Sequence, residues 1–121
     1  MAPPAAFPRG LAAGLAIGVC VNLFLHGAQP YAVGLFRAPW DKLAHASLFF
    51  VLAALAWLIT GARHGLLVIA ACALVGAADE WHQSTLPGRA AGFDDLAFDL
   101  IGAVAAVWLL STVRRRLLAG R

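Results

Sequence analysis

Charge is scarce in this sequence. Only 12% of its 121 residues are Asp, Glu, Lys or Arg, while 62% are hydrophobic. An ordinary soluble domain carries about 25% charged residues, so this chain has too few to cover a surface facing water. Cysteine is rare too. Cys20 and Cys72 both lie inside apolar runs, which excludes a disulfide framework and marks them as small buried hydrophobes. Basic patches with interleaved aromatics are missing, which excludes nucleic acid as a partner. Internal repeats, low-complexity tracts and interdomain linkers are missing as well, so residues 1–121 form one domain. Nor is there apolar/polar alternation, and open sheet edges cannot exist in hydrocarbon, so strands are not expected.

What the chain does have is long apolar runs. They cover residues 11–28, 43–59, 66–81 and 96–113. A membrane-spanning helix needs roughly 20 apolar residues. Each run approaches that length, the second and third by borrowing flanking residues. The expected fold class is therefore all-α: a polytopic membrane protein built as a bundle of four transmembrane helices. The breakers between them differ. A Pro-rich start (Pro3, Pro4, Pro8) precedes Arg9. Pro30, Gly34 and Pro39 punctuate a longer connection from Gln29 to Asp41. Gly61 and Gly65 mark a tight turn from Thr60 to Gly65, and Pro87, Gly88 and Gly92 mark a third connection from His82 to Asp94. Arg9 followed by Leu11–Leu25 also has the outline of a signal peptide. A clean small-x-small cleavage site is missing beyond the weak Gly27-Ala28, and an uncleaved first helix is expected.

The net charge is +3, from nine basic against six acidic residues. With four spans, Arg9, Arg63, Arg114, Arg115, Arg116 and Arg121 fall on one side, and Arg37, Lys42 and Arg89 on the other. Six against three places both termini in the cytoplasm by the positive-inside rule. The expected location is the cell (inner) membrane, with membrane lipids as partners, and the basic tail meets anionic headgroups. Gly14-x-x-x-Gly18 is a small-residue spacing that does not by itself define an oligomer.

The polar residues gather in few places. Trp40, Asp41, Lys42 and His45 open the second run, Asp79, Glu80, His82 and Gln83 close the third, and Arg89 follows Pro87-Gly88. Asp94, Asp95 and Asp99 open the fourth, so all six acidic residues of the chain lie in these segments. Residues three or four apart share a helix face. Asp41 and His45, Glu80 and Gln83, and Asp95 and Asp99 thus pair by spacing, and three helix ends can aim side chains into one outward-facing pocket. Ionisable groups at membrane depth need a partner or water.

Each residue has two readings. Glu80, Asp79 and His45 are candidate catalytic groups, as general base or acid. The structural alternative is a buried carboxylate that locks helix ends against Arg89 or Lys42. Lys42, His45, Gln83, Arg89, Asp95 and Asp99 are candidate ligand-binding residues. Arg89 has a fork that can grip a phosphate or carboxylate, or can simply hold Asp79, Glu80 or Asp95. Asp79 and His82 are three apart and share a face, from which Glu80 is expected to point away. Without an HExxH or comparably dense motif no metal is assigned, and no cofactor is named. Ser47, Ser84 and Thr85 form no nucleophile elbow. Trp40, Trp57, Trp81 and Trp108 read as interfacial anchors. Gly76, Gly102 and neighbouring alanines read as packing surfaces.

Taken in order, Asp41-Lys42-x-x-His45, Asp79-Glu80-x-His82-Gln83, Pro87-Gly88-Arg89 and Asp95-x-x-x-Asp99-x-x-Gly102 resemble the VanZ-like family. The motifs extend from Trp40 to Gly102. Many relatives carry Asn where this chain has Asp99. The resemblance implies a membrane protein of the cell envelope, because the family takes its name from a protein tied to resistance to the glycopeptide teicoplanin. It implies a bound envelope precursor or lipid headgroup and supplies no established reaction. A membrane-embedded hydrolase or transferase acting on a lipid-linked phosphate is the alternative expectation.

Overall fold

The four apolar runs become four α-helices: α1 (Arg9–Gly27), α2 (Trp40–Ile59), α3 (Gly65–Ser84) and α4 (Phe93–Ala119). A computed structural model describes residues 8–29, 37, 39–89 and 92–121. Pro3, Pro4, Pro30 and Gly34, expected as breakers, lie outside the described residues. Among the described residues there is no strand, as the lack of alternation predicts. Each helix is long and apolar enough to cross a membrane.

Several helix ends extend beyond the apolar runs into flanking polar residues. α2 starts at Trp40, directly after Pro39, and α4 starts at Phe93 after an extended Gly92. Acidic residues occupy both first turns: Asp41 in α2, Asp94 and Asp95 in α4. They suit the positive end of the helix dipole. α3 continues through Asp79–Gln83 to Ser84, so those polar residues belong to the helix and not to the following connection. α4 passes position 113 and carries Arg114–Arg116 as helical residues. Hydropathy ends there, but the hydrogen-bond ladder does not, and cations suit a helix C-terminus.

The turn between α2 and α3 explains its sequence. The Gly61 N–H donates to Leu58 O at 3.0 Å and the Ala62 N–H to Trp57 O at 2.9 Å. With Gly61 at φ 71°, this is a Schellman cap, for which glycine is the natural residue. The Arg9 guanidinium lies against Gly61, which brings the start of α1 beside this turn. At the opposite end, Arg89 Nη2 is 3.8 Å from where a Cβ on Gly27 would sit, so the α3–α4 connection meets the end of α1.

α2 and α4 make the most extensive contact and form the centre of the bundle. Phe49, Leu52, Ala53 and Trp57 of α2 are buried against Ala103, Ala106 and Val107 of α4, with Val68 and Cys72 of α3 closing the core. Cys72 is buried and Cys20 half-buried, both unbonded, as expected of small apolar side chains. α1 leans mainly on α2 and buries only Ala12, leaving Leu11, Leu15, Ile17, Val21 and Leu25 facing outward. Trp40, Trp81 and Trp108 are exposed, but Trp57 is part of the core. The anchor reading therefore does not hold for Trp57, which faces the bundle and not the lipid.

Candidate functional site

At the end of the bundle formed by the starts of α2 and α4 and the end of α3, the polar side chains turn inward. Four of them are essentially out of solvent: Asp79 (0% exposed), Asp99 (1%), Gln83 (5%) and Glu80 (9%). Burial on this scale requires partners, because an uncompensated buried charge costs several kcal/mol.

α2 and α4 supply two rungs. Lys42 and His45 are three apart on α2, and Asp95 and Asp99 are four apart on α4. Lys42 Nζ pairs with Asp95 Oδ1, and His45 Nδ1 lies 2.8 Å from Asp99 Oδ1. The outer rung carries more charge, since Lys42 Nζ also reaches Asp94 Oδ2 at 2.7 Å and Asp41 Oδ2 at 3.3 Å. The inner rung adds His45 Nε2 at 3.9 Å from Asp95 Oδ2. Two glycines allow this register. A Cβ on Gly102 would overlap the Ala46 carbonyl oxygen, so only glycine lets α4 close on α2 beside His45. A Cβ on Gly76 would sit 2.9 Å from Asp99 Oδ2, so α3 leaves Asp99 its space.

α3 completes the set. Gln83 Nε2 donates to Asp79 Oδ2 at 2.8 Å along one helix face. Glu80 Oε2 accepts the Gly92 N–H at 2.9 Å and so ties α3 to the residue that precedes α4. This bond occupies a backbone donor that the start of α4 would otherwise leave open. The other oxygens of these acids are not satisfied: Asp79 Oδ1, Glu80 Oε1 and Asp99 Oδ2 are buried without a hydrogen-bond partner. His45, Glu80 and Asp99 each place one nitrogen or oxygen within 4.8 Å of the others.

Lys42, His45, Asp79, Glu80, Gln83, Asp95 and Asp99 thus come together as their spacing anticipates. Arg89 follows a four-residue turn, with its N–H donating to Leu86 O at 3.3 Å and Gly88 at φ 74°, and its guanidinium stands beside α1. One expectation fails. Glu80 points inward with Asp79 and Gln83, whereas the His82 ring packs on Phe24 of α1 at 5.6 Å. Helix spacing pairs Asp79 with Gln83 as readily as with His82, and burial decides in favour of Gln83. Asp94 is a contact of Lys42 that spacing did not single out, although it adjoins Asp95 in sequence. Gly76 was legible only as a packing residue, yet it stands one turn before Glu80 on the same face.

No curated protein and no solved structure matches the chain. A family model described as VanZ/LLP1 matches residues 11–114. That span takes in every residue of the polar cluster and most of all four helices. The order of motifs from Asp41 to Gly102, the four apolar helices and this match agree: the chain belongs to the VanZ/LLP1 family.

Proposed function

We propose that this membrane protein binds a polar part of a cell-envelope component in its Lys42–Asp99 cluster, and thereby alters susceptibility to envelope-directed compounds such as teicoplanin. In this reading the protein lies in the cell (inner) membrane with both termini cytoplasmic, and the cluster faces outward. The six-to-three distribution of basic residues supports that orientation.

One observation carries the reading. Three buried acids from two helices converge with acceptor oxygens left over. Retaining them costs stability, and groups retained at such cost inside a membrane mark binding or reaction sites. The leftover atoms also define the ligand. Lys42 is already engaged by three carboxylates, so it is poorly placed to grip a further anion. Unsatisfied carboxylate oxygens take N–H or O–H donors. The occupant is therefore a donor-rich group: the amides of an envelope precursor, or a hydroxyl- or ammonium-bearing lipid headgroup.

A second reading rests on the inner rung. His45 hydrogen-bonded to Asp99, with Glu80 adjacent, is an oriented imidazole beside a carboxylate. That arrangement suits proton transfer in a hydrolase or transferase acting on a lipid-linked phosphate.

The test is complementation of a susceptible host with wild type, Glu80→Gln and Arg89→Ala at matched membrane levels and matched thermal stability in detergent. Susceptibility to teicoplanin and other envelope-active compounds is the readout. Protection by wild type and its loss in stable Glu80→Gln is the expected result. Equal behaviour of all three reduces the cluster to a structural clasp.

A further inference from the structure

Two of the leftover oxygens, on Glu80 and Asp99, support a different occupant, which would leave Asp79 Oδ1 to the donor-rich group proposed above. We propose that His45, Glu80 and Asp99 form a site for one divalent transition-metal cation, of the Zn2+ or Mn2+ type.

Geometry is the first argument. The triad comes from three helices, and one donor atom of each residue lies within 4.8 Å of the others. Ligands bound at about 2.0–2.2 Å from a common ion are separated by no more than about twice that distance. A contraction of a few tenths of an ångström, within reach of side-chain rotation, therefore closes the set on one ion. The second argument is the free valence. Asp99 Oδ2 and Glu80 Oε1 are buried and unpartnered, on residues 1% and 9% exposed. Asp99 Oδ2 faces α3 at Gly76, one turn before Glu80 on the same helix face. The unpartnered oxygen of α4 thus faces the side of α3 that supplies the second ligand.

The third argument is charge. Asp79, Glu80 and Asp99 are the most deeply buried acids, and Lys42 is occupied by Asp41, Asp94 and Asp95. The basic group bonded to Asp99 is His45. A divalent cation supplies the positive charge this group lacks, with fixed oxygen and nitrogen ligands taking the place of its hydration water. One imidazole with two carboxylates is too nitrogen-rich for Ca2+ or Mg2+ and lacks the thiolates that favour softer ions. The neighbouring groups would hold the ligands in place. Asp95 Oδ2 is 3.9 Å from His45 Nε2, and the Gly92 N–H holds Glu80 Oε2. Both restrict the orientation of a ligand. Three protein ligands leave at least one coordination position for water or for a donor from outside.

The experiment uses the full chain in detergent micelles, stripped with a chelator and dialysed against Zn2+ and, separately, Mn2+. Metal content by mass spectrometry is expected at about one ion per chain. Glu80→Gln and Asp99→Asn keep a hydrogen-bonding atom at each position, and each is expected to weaken Zn2+ uptake at least about tenfold. Asp94→Asn, outside the triad, is expected to bind as wild type. Helicity by circular dichroism confirms that each variant is folded. Co2+ added to wild type gives a readout independent of any variant: visible bands of nitrogen- and oxygen-ligated cobalt, quenched by competing Zn2+. A wild type that takes up neither ion, or that shows no Co2+ bands, overturns the proposal. So does equal uptake by folded Glu80→Gln and Asp99→Asn, which would move the ion to the acids around Lys42. Metal binding without any effect on susceptibility would leave this site standing and count against the functional reading above.

Discussion

At the level of single residues, the cluster divides into groups whose charges are paired and groups whose oxygens are left over. Lys42 is of the first kind. It is the cation on which Asp41, Asp94 and Asp95 converge, and its side chain retains about a fifth of its exposure. Breaking a fully buried pair costs about 3–5 kcal/mol, whereas exposed pairs are worth about 1 or less. Lys42→Met should therefore lower stability by about 1–3 kcal/mol between those limits, read as an earlier thermal transition in detergent. An unchanged transition would mean that the outer rung is screened and contributes nothing. Asp79 contributes within α3, where it accepts a hydrogen bond from Gln83. Asp79→Ala should cost about 1–3 kcal/mol by orphaning a buried amide, whereas Asp79→Asn, which keeps an acceptor, should cost less. The identities of these residues were legible in the sequence because acids are so few that their positions alone define the cluster. That His82 turns to α1 and leaves Asp79 to Gln83 was not legible. Helix periodicity spreads Asp79, Glu80, His82 and Gln83 over an arc of about 160°, and only the packing of α1 and α4 on either side chooses among them.

At the level of helices, the contact of α2 with α4 determines the site. Gly102 makes it possible, since any side chain there overlaps the Ala46 carbonyl. Gly102→Ala should push the helices apart, cost about 1–3 kcal/mol as overpacking and break the His45–Asp99 bond. Gly14→Ala and Gly18→Ala should leave the transition unchanged, because nothing lies within 4 Å of a Cβ at either position. A reversed ranking would put the critical contact on α1. In sequence all of these glycines look alike, and Gly14-x-x-x-Gly18 even carries the more familiar spacing. The existence of four helices was legible because apolar length is a direct requirement of the bilayer. Their ends were not, because hydropathy tracks the boundary of the membrane while the helix follows its own hydrogen bonds. Hence α3 runs on through His82 and Gln83 to Ser84, and α4 runs through Arg114–Arg116 to Ala119.

For the whole molecule, helices that alternate in direction along the chain place the polar cluster at one end and Arg63 and Arg114–Arg116 at the other. With the basic end in the cytoplasm, as the proposed orientation has it, a C-terminal fluorescent-protein fusion should glow and an alkaline phosphatase fusion should be inactive. The opposite pair of results would turn the cluster inward and remove it from the envelope. The central claim is that this cluster is kept for function at some cost to the fold. The most direct test is the thermal transition of metal-free Glu80→Gln beside metal-free wild type in the same detergent. Gln retains an acceptor for the Gly92 N–H, so the substitution loses the charge-assisted part of that bond, about 1 kcal/mol. It relieves a buried carboxylate whose uncompensated charge costs several. The account predicts an unchanged or higher transition temperature. A clear fall would contradict it, making Glu80 a clasp between α3 and α4 and nothing more.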